Sequence, residues 1–536
     1  MIDRKTLFRA EQTEKFKVGR ISRRQFVSSM VASGVALPSA LGMATQAMAS
    51  VPKSGGHYRL GLGHGSTTDS LDPATYENGF TNNMIGSTHN TLTNIASDGS
   101  LVGELAETFE AENNGATWIF NLRQDVVFHN GKTMDSGDVV ASINYHRGED
   151  SKSAAKGLLS SVTDVRADGP NRVIMDLTDP NADFPFVIGD YHLVILPAVD
   201  GAIDPVSGIG TGAYKLENFE PGVRAEMTRN ENYYKPTYFD EVTILSIIDL
   251  TARQNALLSG QVDVIDRLDP KTVSLLARSP AVNILETTGY LHYTFPMRLD
   301  VEPFGNYDLR MALKSSINRQ EMVDKILLGH GTVGNDHPIS PSVPFHAGDL
   351  PQREYDPEKA AFHYKKSGHS GTIQLSASDA AFAGAVDAAQ LIQSSAAAAG
   401  IDIEVVREPS DGYWSNVWNK KGWCACYWGG RPTQDWMYTA AYTNDTEWND
   451  TAWKGTDSSA KFNDIVASAR SELDNAKRAA MYAEAQMLIH DDGGAIVPMF
   501  ANYIMGLSTK ISTGENVAAN WSLDGSQSAE RWWFNS

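Results

Sequence analysis

The sequence predicts an α/β protein built from about three domains, or from two large lobes. Segments with helical periodicity alternate with strand-like segments, and short turns rich in Pro, Gly and Asp separate them. The chain has 536 residues, enough for several domains. It has only two cysteines, so hydrophobic residues, 42% of the total, must supply the core without a disulfide framework.

Strand-like segments dominate the first half of the chain after residue 50. Residues 57–63 predict a first strand, and residues 70–73 predict a turn in which Asp accepts backbone N–H groups and Pro fixes φ. Residues 118–123 predict a half-buried strand, and residues 126–132 carry Asn-Gly in a hairpin-turn position. A Ser/Gly/Asp start signal predicts a helix over 138–146. Further strands are predicted at 173–177, 225–229 and 242–248.

Helices dominate the second half. Apolar residues at helical spacing predict a helix over 309–328 that ends near Gly329. An Ala-rich segment predicts a helix over 382–399, which leads into a strand over 401–406. Residues 458–490 predict a long helical pair.

The N-terminus has the pattern of an export signal. Residues 1–20 are rich in Lys and Arg, and a weakly apolar run extends from Phe26 to about residue 41. Ala47-Met48-Ala49 provides a cleavage site of small residues, so residues 1–49 predict a signal peptide cleaved after Ala49. Residues 22–27, Ser-Arg-Arg-Gln-Phe-Val, resemble the twin-arginine motif, which predicts transport of the folded protein by the twin-arginine machinery. The alternative is an ordinary amphipathic N-terminal helix.

Composition and charge narrow the location and the partners. The net charge of −20 disfavours nucleic acid, whose phosphates need clustered Lys and Arg. After residue 50 no apolar stretch approaches the length of a spanning helix, and no cysteine lies near the cleavage site to carry a lipid. We therefore expect a monomeric protein, free in the periplasm of a Gram-negative cell.

Common catalytic and cofactor motifs are missing. The sequence has no Gly-x-Ser-x-Gly, His-Glu-x-x-His, phosphate-binding Gly-rich or Cys-x-x-Cys motif. Gly61, Gly63 and Gly65 follow a strand, but the third glycine is misplaced for a dinucleotide loop, so they predict a tight turn. The scattered histidines match no metal-ligand spacing. We expect no catalytic residue, no metal and no cofactor.

Cys424 and Cys426 flank Ala425 and would point to the same face of a strand. A bridge between them would be strained, because their Cα atoms would lie near the upper limit of about 6.8 Å for a disulfide. We interpret them as two small buried residues of a core strand.

The segment 413–438 is the strongest candidate binding site. Aromatic residues lead into a Gly-Gly-Arg-Pro loop, and an acid with further aromatic residues follows. Such a loop can offer backbone N–H groups, a guanidinium, a carboxylate and ring faces to one small polar ligand, although about half of the aromatic residues should be core. The candidate residues here are Tyr413, Trp414, Trp428, Gly429, Arg431, Asp435, Trp436 and Tyr438.

Motifs spread over nearly the whole chain resemble a family, the large extracytoplasmic solute-binding proteins of peptide and nickel ABC importers. Each motif alone is weak, but together they follow the family's order. In chain order they are Ser70-Leu71-Asp72-Pro73, Gly103-Glu104-Leu105-Ala106-Glu107, residues 118–132 with 138–140, Gly210-Thr211-Gly212-Ala213-Tyr214, Arg229-Asn230-Glu231-Asn232-Tyr233-Tyr234, residues 308–313, Ile317-Asn318-Arg319 and residues 355–360.

The resemblance implies a two-lobed α/β binding protein of the large type (cluster C), with two crossing strands and an extra subdomain on the first lobe. The implied boundaries are 50–290 for lobe I, with the subdomain at about 95–207, then 291–503 for lobe II and 504–536 for the return to lobe I. Hinge closure would enclose the solute, and the closed form would dock on the membrane subunits of an ABC permease. Thr67 and Thr68 would contribute to the site from lobe I.

One departure from the family changes the expected solute. Peptide-binding members have an Asp before the Pro-containing loop that pairs with the peptide's α-amine, whereas this chain has Trp428 and Gly429 there. Asp435 is the substitute cation partner, and Arg431 is the partner of a carboxylate or phosphate. The resemblance thus implies uptake of a peptide or peptide-like polar solute, with an opine, an amino-acid conjugate or a sugar-like solute as the alternative.

Two other classes of function stay open at this stage. One is a periplasmic hydrolase that acts on glycans through a pair of carboxylates, and the missing nucleophile motifs count against it. The other is a binding protein that serves as a sensor or chaperone rather than in uptake.

Overall fold

The computed structural model describes residues 4–17, 21–33, 35–36, 40, 52–472 and 474–535. Within these residues the chain forms two α/β lobes, each organised around a sheet, and a smaller subdomain with a sheet of its own. The α/β prediction is confirmed.

The first lobe is built on a mixed seven-stranded sheet. The strand His57–Leu62 lies inside it and pairs in parallel with Glu241–Ser246 and Val264–Ile265. Tyr58, Leu60 and Leu62 are at most 1% exposed, because residues at period two point to the same covered face. In spatial order the strands are Tyr214–Glu220, Arg224–Arg229, Glu241–Ser246, His57–Leu62, Val264–Ile265, Tyr503–Ser508 and Val282–Thr287.

The first lobe also contains several helices and the predicted turn at residues 70–73. Asn78 caps the helix Gly79–Thr88 by accepting the N–H groups of Phe80 and Thr81. Pro73 and Asp72 form the predicted turn, in which Asp72 accepts the N–H of Ala74 at 2.8 Å. The other helices here are Leu250–Leu258, Pro270–Leu276, Ser522–Ser526 and Ser528–Arg531.

The subdomain has an antiparallel four-stranded sheet and a separate apolar core. Its strands lie in the order Ala106–Glu112, Thr117–Leu122, Arg172–Leu177 and Val162–Ala167. The helix Ser136–Tyr145 lies against this sheet and begins two residues before the predicted start, because Asp135 caps it. Short elements complete this part, namely Thr93–Ile95, Leu101–Gly103, Phe184–Val187, Ala198–Val199 and Ala202–Ile203.

The second lobe is built on another four-stranded sheet. Its strands lie in the order Gly331–Val333, Met499–Ala501, His292–Thr294 and Cys426–Trp428. A parallel pair, Ile373–Ala377 with Ile403–Arg407, lies beside it. The helices of this lobe are Tyr307–Ser315, Pro357–Ser367, Ala385–Ala397, Tyr413–Asn416, Gln434–Ala441, Asp457–Ser471 and Asn475–Asp491.

The chain passes between the two large sheets twice. It leaves the seven-stranded sheet after Thr287 and enters the second lobe's sheet at His292, and it returns through Asn502. One of the cavities described below is lined by Leu291 and Asn502 of these two passages. The exact lobe boundaries given above stay predictions.

The single helix predicted over 309–328 is wrong. The helix Tyr307–Ser315 ends, a new helix Arg319–Met322 begins with Asn318 as its cap, and a π-helical turn, Val323–Leu327, follows. The interruption turns Arg319 toward the buried carboxylate of Asp336, with Nη2 at 2.6 Å from Oδ2. Periodicity of apolar residues does not report this tertiary ion pair.

The remaining element predictions agree with the structure within a few residues. The segment 458–490 forms the helical pair, and the helix in 382–399 spans Ala385–Ala397. Cys424 and Cys426 are both free and buried, and Cys426 begins a core strand.

Two helices with described bounds precede the lobes in the chain. They span Arg4–Lys17 and Arg23–Ala32, and Ser22 caps the second in a capping box with Gln25. None of the described helices combines the length and the apolar character needed to cross a membrane. The predicted cleavage site after Ala49 lies outside the described residues.

Candidate functional site

Three adjoining cavities lie between the lobes. Asn82 and Trp521 line all three, so the cavities form one connected region. The helix chamber lies along the helix Gly79–Thr88, the Arg267 chamber lies beside Arg267 and Tyr427, and the tryptophan chamber lies between Glu77 and Arg431. With the open solvent at their mouths included, the space free of protein atoms is about 630 Å³, 780 Å³ and 430 Å³ in these three chambers.

Four tryptophans of the second lobe form the wall of the tryptophan chamber. The ring of Trp418 lies 5.8 Å from Trp414, 6.0 Å from Trp428 and 6.2 Å from Trp448, centroid to centroid. The interplanar angles of these pairs are between 65° and 69°, so the rings meet edge to face and do not stack.

Asp450 fixes two of these rings from behind. Its Oδ2 accepts the indole N–H of Trp418 at 3.0 Å and that of Trp428 at 3.1 Å. Burial raises the pKa of Asp450 to about 6, although these hydrogen bonds oppose the shift. The tryptophan wall is therefore held by a carboxyl group whose pKa lies above its usual value.

Arg431 reaches the cavity from a turn that only glycine permits. A Cβ on Gly429 would lie 2.2 Å from the ring of Trp521, and one on Gly430 would lie 2.1 Å from the Cβ of Tyr290. Gly430 also has φ of +77°, in the region that favours glycine. The close approach of this turn to Tyr290 and Trp521 places Arg431 where the lobes meet.

The guanidinium of Arg431 is buried without an ion-pair partner among the described residues. It is 2% exposed, and its Nη1 donates a hydrogen bond to the carbonyl oxygen of Gly430 at 2.8 Å. Its Nε has no hydrogen-bond partner within the described protein. Its charge lies instead 5.0 Å from the ring of Trp521, 5.5 Å from Trp436 and 6.0 Å from Tyr191.

Asp190 is a buried carboxylate that interacts electrostatically with Arg431 without contacting it. Burial raises its pKa, but His192 and, more weakly, Arg431 bring the pKa below its usual value. Its Oδ1 lies 2.5 Å from Nδ1 of His192, and its Oδ2 accepts the indole N–H of Trp436 at 3.3 Å. The carboxylate oxygens of Asp190 thus interact with His192 and Trp436, and neither forms a hydrogen bond with the guanidinium of Arg431.

Glu77 brings a carboxylate to the tryptophan chamber from the first lobe. It is half-buried and has no ion pair or hydrogen bond with any described residue. Burial raises its pKa, Asp69 raises it further, and His192 opposes the shift. The chamber thus contains one cation and one anion of the protein, each without an ion-pair partner in the described part of the chain.

The Arg267 chamber joins the lobes through a second arginine. Arg267 lies 4.9 Å from the ring centroid of Tyr427 and donates from Nη2 to the carbonyl oxygen of Ala381 at 2.6 Å. His64 hydrogen-bonds the hydroxyl of Tyr427 at 3.0 Å, and burial holds the pKa of this histidine well below its usual value. Neutral His64 therefore acts here as a polar contact between the lobes.

Further polar atoms in the cavity walls lack partners within the described protein. They include Oδ1 of Asn82, Oδ1 of Asn520 and Nε1 of Trp414. Buried polar groups are normally hydrogen-bonded, so these atoms are available to a bound molecule or to water.

The structure brings together only part of the predicted site. Trp414, Trp428, Gly429 and Arg431 line the tryptophan chamber, and Trp436 lines the adjoining helix chamber and contacts the guanidinium. These five residues belong to one region.

Asp435 lies elsewhere, which corrects its expected role as the cation partner. Its carboxylate is 1% exposed and pairs with Arg470, with Oδ1 at 2.5 Å from Nε. Asp435 lies in the first turn of the helix Gln434–Ala441 and lines none of the three cavities. The protein itself therefore supplies its cation.

Four other candidates also lie outside the cavity. Tyr413 is buried and donates its hydroxyl to the carbonyl oxygen of Ala425, and Tyr438 donates to Gln434 within the core. Thr67 and Thr68 are exposed in the turn after the strand His57–Leu62. From the first lobe, Glu77 and Asn82 line the tryptophan chamber, whereas the two threonines do not.

Sequence reasoning missed several residues of the cavity. They are Glu77, Asn82, Tyr191, Arg267, Trp448 and Trp521. Trp448 follows an aromatic-rich segment and could have been found from composition, whereas the others come from separate parts of the chain that only the fold brings together.

Comparison with known proteins identifies a family and several relatives. A family model described as bacterial extracellular solute-binding proteins, family 5, matches residues 100–450. The dipeptide-binding protein of Escherichia coli K12 is 24% identical over 442 residues, which cover 73% of this chain and 79% of that protein. The nickel-binding periplasmic protein of the same strain is 26% identical over 291 residues, about half of either chain, with 52% and 55% covered.

A solved structure shares the fold over almost its whole length. The periplasmic binding protein AgaA from A. tumefaciens R10, in complex with agropinic acid, superposes with a TM-score of 0.81 at 22% identity. The superposition covers 90% of this chain and 99% of AgaA. The two-lobed architecture is therefore that of periplasmic binding proteins.

Proposed function

The chain belongs to the bacterial extracellular solute-binding proteins of family 5, and from this membership we propose that its inter-lobe cavity binds a small polar solute with a carboxylate or phosphate group. The solute-bound protein would deliver this solute to the membrane subunits of an ABC importer. Relatives that bind a dipeptide, nickel or agropinic acid support a solute-binding role for this chain. They also show that proteins of this architecture bind chemically different solutes.

The observation that carries the proposal is the buried guanidinium of Arg431. A charge at 2% exposure is costly when no described residue forms an ion pair with it, because burial removes its hydration. The anion of a solute would restore the missing interaction through charge-assisted hydrogen bonds. Peptides remain one candidate class, and opines and amino-acid conjugates, which also carry carboxylates, are the other.

Binding can be tested by thermal shift of the purified protein. The solutes are dipeptides and tripeptides, glutathione, agropinic and mannopinic acids, and oligosaccharides as a class without carboxylates. A solute at a hundred times its Kd should stabilise the native state by about 2.7 kcal/mol. We expect stabilisation by a carboxylate-bearing solute, and stabilisation by oligosaccharides alone would contradict the proposal.

Variants of Arg431 test the site. Arg431→Gln should weaken binding of the stabilising solute by about 100-fold, because it removes a charged hydrogen-bond donor. Arg431→Lys should recover only part of this loss, since it keeps the charge without the planar fork. Arg59→Gln is the matched control, because Arg59 pairs with Asp263 outside the cavity. Equal affinity in Arg431→Gln and Arg59→Gln would rule out Arg431 as the anion partner.

We also propose that residues 1–49 direct the folded protein to the periplasm through the twin-arginine machinery. Support comes from Arg23 and Arg24, which directly follow the cap Ser22 at the start of a helix, and from the apolar residues after them. Replacing both arginines with lysine should leave the full-length precursor in the cytoplasm, as fractionation and immunoblotting would show. Unchanged export would contradict this route, and a control with Lys15→Arg should export normally.

A further inference from the structure

The tryptophan chamber, which Arg431 also lines, contains a second group of residues with the chemistry of a subsite of their own. The four tryptophans Trp414, Trp418, Trp428 and Trp448 meet edge to face around the same cavity as Glu77. Arg431 has cation–π contacts with a different set of rings, those of Tyr191, Trp436 and Trp521. Among the described residues, none of the four tryptophans has a cation over its face.

Glu77 adds a charge that this wall lacks. Its carboxylate has no partner among the described residues, although it is partly removed from water. An unpaired carboxylate at a cavity wall favours a cationic group, and aromatic ring faces attract the same group through their quadrupoles. The indole N–H groups of Trp418 and Trp428 point to Asp450, so the polar edges of these rings are already satisfied.

We propose that Glu77 and the four tryptophans bind an organic cation, an alkylated ammonium or a guanidinium, carried by the transported solute. This inference rests on the proposed function and narrows it to solutes that carry both an anion and a cation. Glu77 belongs to the first lobe and the tryptophans to the second, so the cationic group would contact both lobes. Glu77 would thereby take the role expected of Asp435, which Arg470 occupies.

Small cations test this subsite without knowledge of the solute. Tetramethylammonium and methylguanidinium chlorides are titrated into the purified protein, with tryptophan fluorescence and isothermal titration calorimetry as readouts. Sodium chloride controls for ionic strength, and tert-butanol is a neutral probe of similar size. We expect saturable binding of at least one cation with Kd roughly in the millimolar range. The cation that binds more tightly identifies the group, whereas no saturable binding of either, or equal binding of tert-butanol, would overturn the proposal.

Variants assign the binding to these residues. Glu77→Gln should weaken cation binding at least tenfold, Glu77→Asp should keep part of it, and Trp448→Leu should weaken it independently of Glu77. Glu107→Gln, at an exposed position of the subdomain, is the matched control. Cation binding unchanged in both Glu77→Gln and Trp448→Leu would overturn the proposal.

The two proposals fail in different ways. The cation probes carry no anionic group, so Arg431→Gln should not weaken their binding. Cation binding without any response to the carboxylate solutes would contradict the anion site alone. Solute binding that depends on Arg431, without cation binding, would contradict only the Glu77 subsite.

Discussion

At the scale of single residues, two charges of the tryptophan chamber are informative because no described residue forms an ion pair with them. Arg431 and Glu77 line the same chamber, yet neither has an ion-pair partner among the described residues. Asp435 shows the contrast, since it lies four residues from Arg431 in the chain but forms a buried pair with Arg470. Proximity in sequence thus placed Arg431 in the cavity correctly and Asp435 incorrectly.

Asp450 should make the stability of the protein depend on pH. Burial raises its pKa from 3.8 to about 6, so the native state binds a proton more tightly than the unfolded chain. The stabilisation of the protonated form is complete below about pH 4 and is lost as pH rises through about 6. Asp450→Asn should therefore show a flatter change of Tm between pH 4 and 7 than the parent protein, measured by calorimetry.

The fluorescence of the tryptophans that contact Asp450 provides the control for this measurement. The indole N–H groups of Trp418 and Trp428 lower the pKa of Asp450, and Arg298 does so as well, all against the effect of burial. The amide introduced by Asp450→Asn keeps an oxygen to accept both indole N–H groups, so the tryptophan fluorescence spectrum should stay close to that of the parent. An equal pH dependence of Tm in both proteins would show that Asp450 does not titrate in this range.

At the scale of elements, local patterns predicted the helices and strands well and their interruptions poorly. The strand at residues 57–63 and the helical pair at 458–490 follow from periodicity and capping residues alone. After the break that follows Ser315, Arg319 contacts the buried Asp336 at 2.6 Å, and Arg353 contacts the same carboxylate at 2.8 Å. Such a network joins separate segments, so no local window contains it.

The same reasoning explains which part of the site could be predicted. Arg431 and Trp428 lie in one segment whose Gly-Gly turn and aromatic residues are visible in the sequence. Glu77, Tyr191 and Trp521 lie more than a hundred residues from one another, and only the packing of the two lobes places them in one cavity. Sequence reasoning therefore misses the residues that the first lobe contributes to a site between the lobes.

At the scale of the whole molecule, direct contacts connect the two lobes. Trp436, on a helix of the second lobe, packs into the apolar core of the subdomain and donates its indole N–H to Asp190. Arg478 of the second lobe pairs with Asp183 of the subdomain, and both are at most 15% exposed. Lys271 and Asp387 form a second inter-lobe pair at 2.6 Å, but each is 49% exposed.

These two ion pairs should differ in their effect on closure. Asp183→Asn leaves Arg478 buried without its partner and so should favour the open form, which lowers apparent affinity by about tenfold through the smaller closed population. Lys271→Gln removes an exposed pair worth less than about 1 kcal/mol, so affinity should change by no more than about fivefold. Small-angle X-ray scattering should show a larger radius of gyration for solute-free Asp183→Asn than for Lys271→Gln. Equal radii and equal affinities in the two variants would show that the Asp183–Arg478 pair does not stabilise the closed form.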